Sequence, residues 1–257
     1  MILSIFNNKG GVGKTTTAVN LAAGLASARE RALLIDLDGQ SSASFHLGLS
    51  RDCLKPSVAE LLLGECTSRE AVRPTSVKHL DILPGSPRLC GFDLAMAQRP
   101  NHDLVLREAL GDIAQGYRWV IMDCPPALSL LTRNAVLASD GLLIPVAPGY
   151  LALEGLAGLM EELQSLRARY PQSADILGIL PTMVDYRNRL TGEVLELLRE
   201  HFANTVTGTE VKINVRLAEA SSFGKSIFDY DRRCQGSRDY RSLIQEVRNL
   251  CRVRKVA

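Results

Sequence analysis

Residues 2–16 read ILSIFNNKGGVGKTT and decide the fold of the chain. The apolar residues 2–6 predict a short buried strand, and the pattern after the glycines predicts a helix over residues 15–28. Glycine tolerates positive φ, so N–H groups of the intervening loop can surround phosphate oxygens, and the helix N-terminus adds a partial positive charge. This context predicts a phosphate-binding loop formed by Lys9, Gly10, Gly11, Val12, Gly13, Lys14, Thr15 and Thr16.

The end of this loop has the residue types that bind a nucleoside triphosphate and magnesium. In such loops the lysine reaches the β- and γ-phosphates, and the hydroxyl of the next residue coordinates Mg²⁺. Lys14 and Thr15 stand at these positions. The pattern G-x-x-x-x-G-K-[ST] is not matched in full, because Asn8 occupies the place of its first glycine and Lys9 opens the loop.

The rest of the chain alternates between apolar strands and amphipathic helices. This alternation predicts an α/β fold with a doubly wound, mainly parallel sheet and helices on both faces. No linker or internal repeat is visible, so residues 1–257 are expected to form a single domain. The predicted strands cover residues 32–35, 80–83, 118–123, 141–146 and 176–180, and the predicted helices cover residues 104–113, 128–138, 153–168 and 190–201. Ser57 and Glu60 have the spacing of a capping box, which predicts that a short helix begins there.

Composition limits the partners that the chain can have. Hydrophobic residues make up 46% and charged residues 23%, which is typical of a globular protein and excludes disordered or collagen-like chains. The net charge is only +2, so any affinity for nucleic acid must come from a local basic patch. The six cysteines are far apart and form no metal-binding spacing, which favours reduced thiols in a cytoplasmic protein.

Three aspartates follow predicted strands. Asp36 and Asp38 end the second strand, and Asp123 ends a later one. Because parallel strands meet at their carboxyl ends, the three side chains are expected to converge on one crevice. Magnesium usually takes one or two carboxylates together with waters and phosphates, so this edge of the sheet is the predicted magnesium site.

The motif KGGVGKTT resembles the deviant Walker A motif of the ParA/MinD group of P-loop ATPases. The resemblance implies that the ligand is ATP and that Lys9 reaches the phosphates of a second subunit in a nucleotide-sandwich homodimer. The stretch LIDLDGQ matches the second signature of this group, in which Asp38 positions the attacking water and Asp36 and Asp123 act near the magnesium ion. The group usually has proline where this chain has Gly39.

Three further stretches resemble the ParA/Soj branch that partitions DNA: residues 123–156, PTMVDYRNRL and NVRLAEASSFGKSI. The resemblance implies nonspecific binding of double-stranded DNA in the ATP state, association with the nucleoid, and hydrolysis stimulated by a ParB-like adaptor. The second stretch resembles the segment that contacts the base, which implies contacts from Thr182, Met183 and Asp185. Longer members carry an N-terminal helix-turn-helix region, which is not expected here. The basic residues matched to DNA contacts are Arg187, Arg216, Lys212 and Lys225.

Three alternatives within the group remain open. A MinD-like protein would bind membrane through its C-terminal helix, and this chain has an amphipathic stripe there. Such a stripe is more often packed on its own domain, and it lacks the Phe or Trp of an interfacial anchor. An iron–sulfur reductase or a biosynthetic ligase would need cysteines or catalytic residues that the sequence does not offer. The stripe consists of Tyr240, Leu243, Ile244, Val247, Leu250 and Cys251, with Arg241, Arg248, Arg252, Arg254 and Lys255 beside it.

Overall fold

A seven-stranded sheet runs through the middle of the molecule. The structure is a computed structural model that describes residues 1–27, 29–111 and 113–254. The strands are β1 (Ile2–Ile5), β2 (Ala32–Asp36), β3 (Arg73–Pro74), β4 (Leu80–Leu83), β5 (Trp119–Asp123), β6 (Gly141–Val146) and β7 (Asp175–Pro181).

The strand order is β3-β4-β2-β5-β1-β6-β7, and every neighbouring pair is parallel except β3 with β4. The predicted doubly wound, mainly parallel sheet is therefore confirmed. The short edge strand β3 was not predicted, because its two residues carry no periodic signal and one of them is a proline. Proline is tolerated there because an edge strand has one side free of ladder bonds.

Both faces of the sheet are buried. Along β5, Val120 and Met122 pack into one apolar cluster, whereas Trp119 and Ile121 pack into the cluster on the opposite face. This alternation follows from the two-residue repeat of a strand, and it explains why the strands read as continuous apolar runs.

Helices cover both faces, as predicted. The helices are α1 (Lys14–Leu25), α2 (Ser42–His46), α3 (Val58–Leu63), α4 (Ser68–Ala71), α5 (Phe92–Met96), α6 (Val105–Leu110), α7 (Leu130–Ala138), α8 (Ala152–Arg169), α9 (Arg189–His201), α10 (Val215–Ser222), α11 (Ile227–Tyr230) and α12 (Gln235–Arg254). The first face packs against α3 and α6 to α9, and the second against α1 and α12. Between β4 and α6, the chain forms a 3₁₀ turn at Pro87–Gly91 and the short helix α5.

Helix α1 ends three residues before the predicted boundary at Ala28, which lies outside the described residues. Its C-cap residue Ala26 is already extended, with φ −66° and ψ 128°. The helix is nearly buried throughout, because it lies between the sheet and α12.

The C-terminal stripe packs on the domain itself. Tyr240, Leu243, Val247 and Cys251 are at most 4% exposed and belong to the cluster that includes α1. The Tyr240 hydroxyl lies 3.2 Å from the Thr17 hydroxyl of α1. The apolar face of α12 is therefore already covered by protein. Lys255 lies outside the described residues, and among the helices described, none is long and apolar enough to cross a membrane.

Candidate active site

The glycine-rich loop joins β1 to α1 at the middle of the sheet. Gly11 and Gly13 have φ of 71° and 80°, a left-handed conformation that side chains with a Cβ rarely adopt. Asn7, which was not identified from the sequence, anchors the start of the loop. Its amide nitrogen donates to the Pro145 carbonyl at 2.7 Å, and its amide oxygen accepts from the Lys9 N–H at 2.9 Å.

The loop has backbone hydrogen-bond donors that are available to a ligand. Within the described ranges, no acceptor is found for the backbone N–H groups of residues 10–16. Lys14 is 7% exposed, and its ammonium group donates to the Lys9 carbonyl at 2.8 Å. Burial lowers the pKa of Lys14, while the nearby Asp123, Cys124 and Asp38 act in the opposite direction. A polyphosphate would supply the acceptors that this site lacks.

The strand register brings the predicted carboxylates together. Asp123 is the register partner of Ile5 on one side and of Asp36 on the other. The three strands thus end at one level, next to the loop that leaves β1. The predicted convergence of Asp36 and Asp123 on the edge beside the loop agrees with this register.

The Asp123 carboxylate is buried without a hydrogen-bond partner. It is 1% exposed, and neither oxygen is hydrogen-bonded in the described part of the chain. Burial first, and then the negative Asp36, raise the pKa of Asp123 well above its ordinary value, although the neighbouring Thr15 and Lys14 act against this shift. Buried charges are normally paired or coordinate metals, so these two orphaned oxygens fit a cation such as Mg²⁺.

Replacing Asp123 with Asn is expected to stabilise the nucleotide-free protein at pH 8 by about 1–3 kcal/mol, since it removes a buried carboxylate whose oxygens have no hydrogen-bond partner among the described residues. The raised pKa of Asp123 sets the sign of the pH dependence. The loss of folding free energy in the wild type is complete above the folded-state pKa and declines as the pH falls toward the unfolded-state pKa. Urea unfolding in EDTA at pH 8 and pH 6 measures the difference. Asp52→Asn, at an exposed position, is the control, and an equal effect of both changes would contradict the assignment.

Asp36 is fully buried but well hydrogen-bonded. Its Oδ2 accepts from the Ser44 N–H at 2.8 Å and from the Ser44 hydroxyl at 2.7 Å, and its Oδ1 accepts from the Asp38 N–H at 3.2 Å. Burial raises the pKa of Asp36 to about 6, although these bonds act against it. Asp38 is half-buried, and its Oδ1 accepts from the Gln40 N–H at 2.9 Å. The three bonds fix the orientation of the Asp36 carboxylate.

Gly39, where the resembling group has proline, faces the Cys90 thiol. A Cβ on Gly39 would lie 2.6 Å from the Cys90 sulfur. A larger residue there would have to displace this side chain. In this chain, Gly39 and Cys90 are therefore sterically matched.

The end of β7 contacts the glycine-rich loop from the other side. The Thr182 hydroxyl donates to the Val12 carbonyl at 2.8 Å, so this side chain holds the loop. Met183 has a positive φ of 52° and is 46% exposed. Asp185 accepts two side-chain hydrogen bonds from Arg187, at 2.8 and 2.7 Å, which lower the pKa of its carboxyl group.

Three of the four predicted DNA-contacting residues lie on adjacent segments. Val184 is bridged to Lys212, and the Ile213 N–H donates to the Val184 carbonyl at 3.1 Å. Arg187 follows Val184 by three residues, and Arg216 follows Lys212 by four. Lys225 lies beyond the far end of α10, nine residues after Arg216, so it is apart from this group.

Both arginines are paired with acids. The Arg187 side chain is 85% exposed and faces Asp185, and Arg216 lies 2.7 Å from Glu219 and 3.8 Å from Asp231. Lys9 and Lys212 are exposed and have no side-chain partner among the residues described. The basic surface is thus partly neutralised within the chain.

The parallel sheet, the glycine-rich loop and the buried strand-end carboxylates define a P-loop ATPase. A family model described as an AAA domain matches residues 1–176. The chromosome partitioning protein ParA of Myxococcus xanthus is 41% identical over 96% of this chain and 87% of its own length. The chromosome-partitioning ATPase Soj of Thermus thermophilus is 45% identical over 95% of this chain and 94% of its own.

A solved structure of cobyrinic acid a,c-diamide synthase from Mycobacterium smegmatis, with bound ADP and magnesium, is similar with a TM-score of 0.82. It is 28% identical and covers 95% of this chain and 92% of that chain. With the two curated relatives, this likeness extends over nearly the whole chain. The chain belongs to the ParA/Soj family of partition ATPases.

Proposed function

We propose that this ATPase forms an ATP-dependent sandwich homodimer, binds double-stranded DNA without sequence preference in that state, and releases it on hydrolysis. The single observation that carries the proposal is the position of Arg187, Lys212 and Arg216 on segments that adjoin the end of β7. Thr182, at that same strand end, is hydrogen-bonded to the phosphate-binding loop. A change in the phosphate-binding loop on ATP binding or hydrolysis can therefore alter the basic surface through Thr182 and the end of β7.

The roles of the site residues follow from their surroundings. The N–H groups of residues 10–16 and the Lys14 ammonium group bind and orient the phosphates of ATP. Thr15, Asp36 and Asp123 would hold Mg²⁺, which would supply neutralisation of charge on those phosphates. Asp38 orients the attacking water. Phosphoryl transfer depends mainly on such positioning and charge neutralisation, so no histidine or glutamate base is required.

Base recognition is assigned to Thr182, Met183 and Asp185. The exposed Met183 offers apolar contact to a base, and Asp185 offers a carboxylate acceptor to an exocyclic amine. Thr182 contributes by fixing the loop rather than through a free hydroxyl.

Lys9 is assigned to the partner subunit's nucleotide. Its side chain is exposed at the tip of the loop, and it can complete charge neutralisation only when two subunits meet. Lys9→Ala is therefore expected to bind ATP as a monomer but to fail to dimerise. Light scattering after size exclusion, with a slowly hydrolysed ATP analogue, measures this. Lys78→Ala, an exposed lysine elsewhere, should dimerise normally, and a normal dimer from the Lys9 variant would refute the role.

DNA binding is expected to use backbone phosphates. The exposed apolar residues Ile213 and Val215 lie beside Arg216 in sequence. The helix that follows, α10, has only 8 residues, so it is short for a helix that reads bases in the major groove. Phosphate contacts release counterions and carry no sequence information. In the dimer, two such surfaces act together, and DNA phosphates replace Asp185 and Glu219 as partners of the arginines. Exposed ion pairs are weak, which makes this exchange easy.

The relatives named for chromosome partitioning support a role in moving DNA or a protein cargo. We propose a ParB-like or analogous adaptor as the partner that stimulates hydrolysis, and a cytoplasmic protein that associates with the nucleoid in the ATP state. The membrane alternative has less support, because the apolar face of α12 is buried against α1.

Fluorescence anisotropy with random-sequence duplex DNA tests the proposal. The protein is titrated with ATP, ADP or no nucleotide, in Mg²⁺, at about 50 and about 200 mM salt. Binding that requires ATP and falls steeply with salt is the expected result. An ATP dimer that binds no DNA at either salt concentration would overturn the DNA function, and binding to anionic vesicles would then favour the membrane alternative.

A further inference from the structure

Asp36 is oriented by a residue outside the motifs that carry the ATPase chemistry. Ser44 lies on α2, eight residues after Asp36, and is fully buried. Its N–H and its hydroxyl both donate to Asp36 Oδ2, at 2.8 and 2.7 Å. The Ser44 hydroxyl oxygen in turn accepts from the Gly85 N–H at 3.1 Å. A chain of hydrogen bonds therefore runs from the loop after β4 to the carboxylate at the end of β2.

Gly85 contributes a second constraint. A Cβ on this residue would lie 2.8 Å from Asp36 Cγ, 2.9 Å from Asp36 Oδ1 and 2.8 Å from the Asp38 carbonyl oxygen. The loop after β4 thus lies directly against both acidic residues, and only glycine permits this approach. The φ of Gly85 is not in the left-handed region, so the requirement is one of space.

The acceptor positions of Asp36 can be counted. An ionised carboxylate offers about four acceptor positions. Three are used by Ser44 and Asp38, all from fixed donors. These three bonds fix the direction of the remaining acceptor position.

We propose that Ser44 is a positioning residue of the ATPase: with Gly85 it holds the Asp36 carboxylate in the orientation that binds the hydrated magnesium ion. The proposal rests on the assignment of Asp36 to magnesium under the proposed function. Partners of this kind orient metal-binding groups in many proteins, and their loss typically lowers metal affinity about 10- to 100-fold.

The test is the free Mg²⁺ concentration that gives half-maximal ATP hydrolysis by the full chain. Ser44→Ala is expected to raise it about 10-fold, with a smaller change in kcat at saturating Mg²⁺. Ser44→Thr, which keeps the hydroxyl, is expected to restore it. Gly85→Ala should have the same effect as Ser44→Ala although the serine is intact, because the new Cβ displaces the carboxylate. Ser50→Ala removes an exposed serine hydroxyl and is the matched control.

Two readouts separate positioning from a structural role. Thermal unfolding in EDTA reports folding, and binding of a fluorescent ATP analogue in EDTA reports the nucleotide site without magnesium. Lower stability with an unchanged Mg²⁺ requirement in both Ser44→Ala and Gly85→Ala would overturn the proposal.

Asp36→Asn separates this inference from the proposed function. If Asp36→Asn raises the Mg²⁺ requirement and Ser44→Ala does not, the role of Ser44 is wrong and that of Asp36 stands. If Asp36→Asn leaves the requirement unchanged, the magnesium assignment fails and the role of Ser44 fails with it.

Discussion

Asp38→Ala is expected to lower the rate of ATP hydrolysis at least ~100-fold while leaving the ATP dimer and its DNA binding intact. Loss of a group that orients or deprotonates the attacking water typically costs about 10²–10⁴-fold. The backbone of Asp38 is fixed independently of its side chain, since its N–H donates to Asp36 and its carbonyl accepts from Ser41 at 2.9 Å. The substitution should therefore remove the carboxylate without moving the loop.

Three measurements on one preparation check this expectation. Phosphate release gives the rate, size exclusion with ATP gives the dimer, and anisotropy gives DNA affinity. Asp52→Ala removes an exposed acid from a nearby turn and serves as control. Normal turnover by Asp38→Ala would show that another group orients the water. Loss of dimerisation together with hydrolysis would show that Asp38 acts in assembly.

The double substitution of Arg187 and Arg216 by glutamate is expected to weaken DNA binding in the ATP state at least ~100-fold without affecting the dimer. Removing one phosphate-binding cation lowers the slope of log affinity against log salt by about 1, so removing two from each subunit of a dimer lowers it by about 4. The charge reversal also leaves Asp185 and Glu219 beside new acids.

Arg189→Glu provides a matched control two residues from Arg187. Its side chain is 94% exposed and is paired with Glu193 on α9 rather than with the β7 segment. It should change DNA affinity only slightly. Unchanged affinity in the double variant, or an equal loss in Arg189→Glu, would move the DNA surface elsewhere on the molecule.

Much of the fold could be predicted because its signals are local. The central strands are buried on both faces, so they read as apolar runs, and their predicted boundaries agree with β2, β4 and β6 to within one residue. The capping box of Ser57 and Glu60 is present at the start of α3, as its sequence spacing indicates. The strand β3 has no periodic pattern and could not be predicted from the sequence. The helix α4 begins at a second capping box, formed by Thr67 and Glu70, and this signal was missed.

The site was predictable only in part. The glycine-rich loop and the strand-end aspartates are recognisable because each is tied to a neighbouring element in sequence. Asn7, Ser44 and Gly85 act through contacts with residues that are eight or more positions away, namely Pro145 and Asp36. Serine, asparagine and glycine are common in loops for local reasons, so their composition gives no sign of these roles.

The sequence by itself determined the class of chemistry: the alternating strands and helices, the KGGVGKTT loop between β1 and α1, and the aspartates that end β2 and β5. These depend on backbone freedom and hydrophobic period, which are properties of short stretches. Only the tertiary structure decided that Asp123 is buried without a partner, that Ser44 and Gly85 fix Asp36, and that the stripe of α12 is covered by α1. Those features depend on packing between segments distant in the chain, and the physical environment of a side chain is set by such packing.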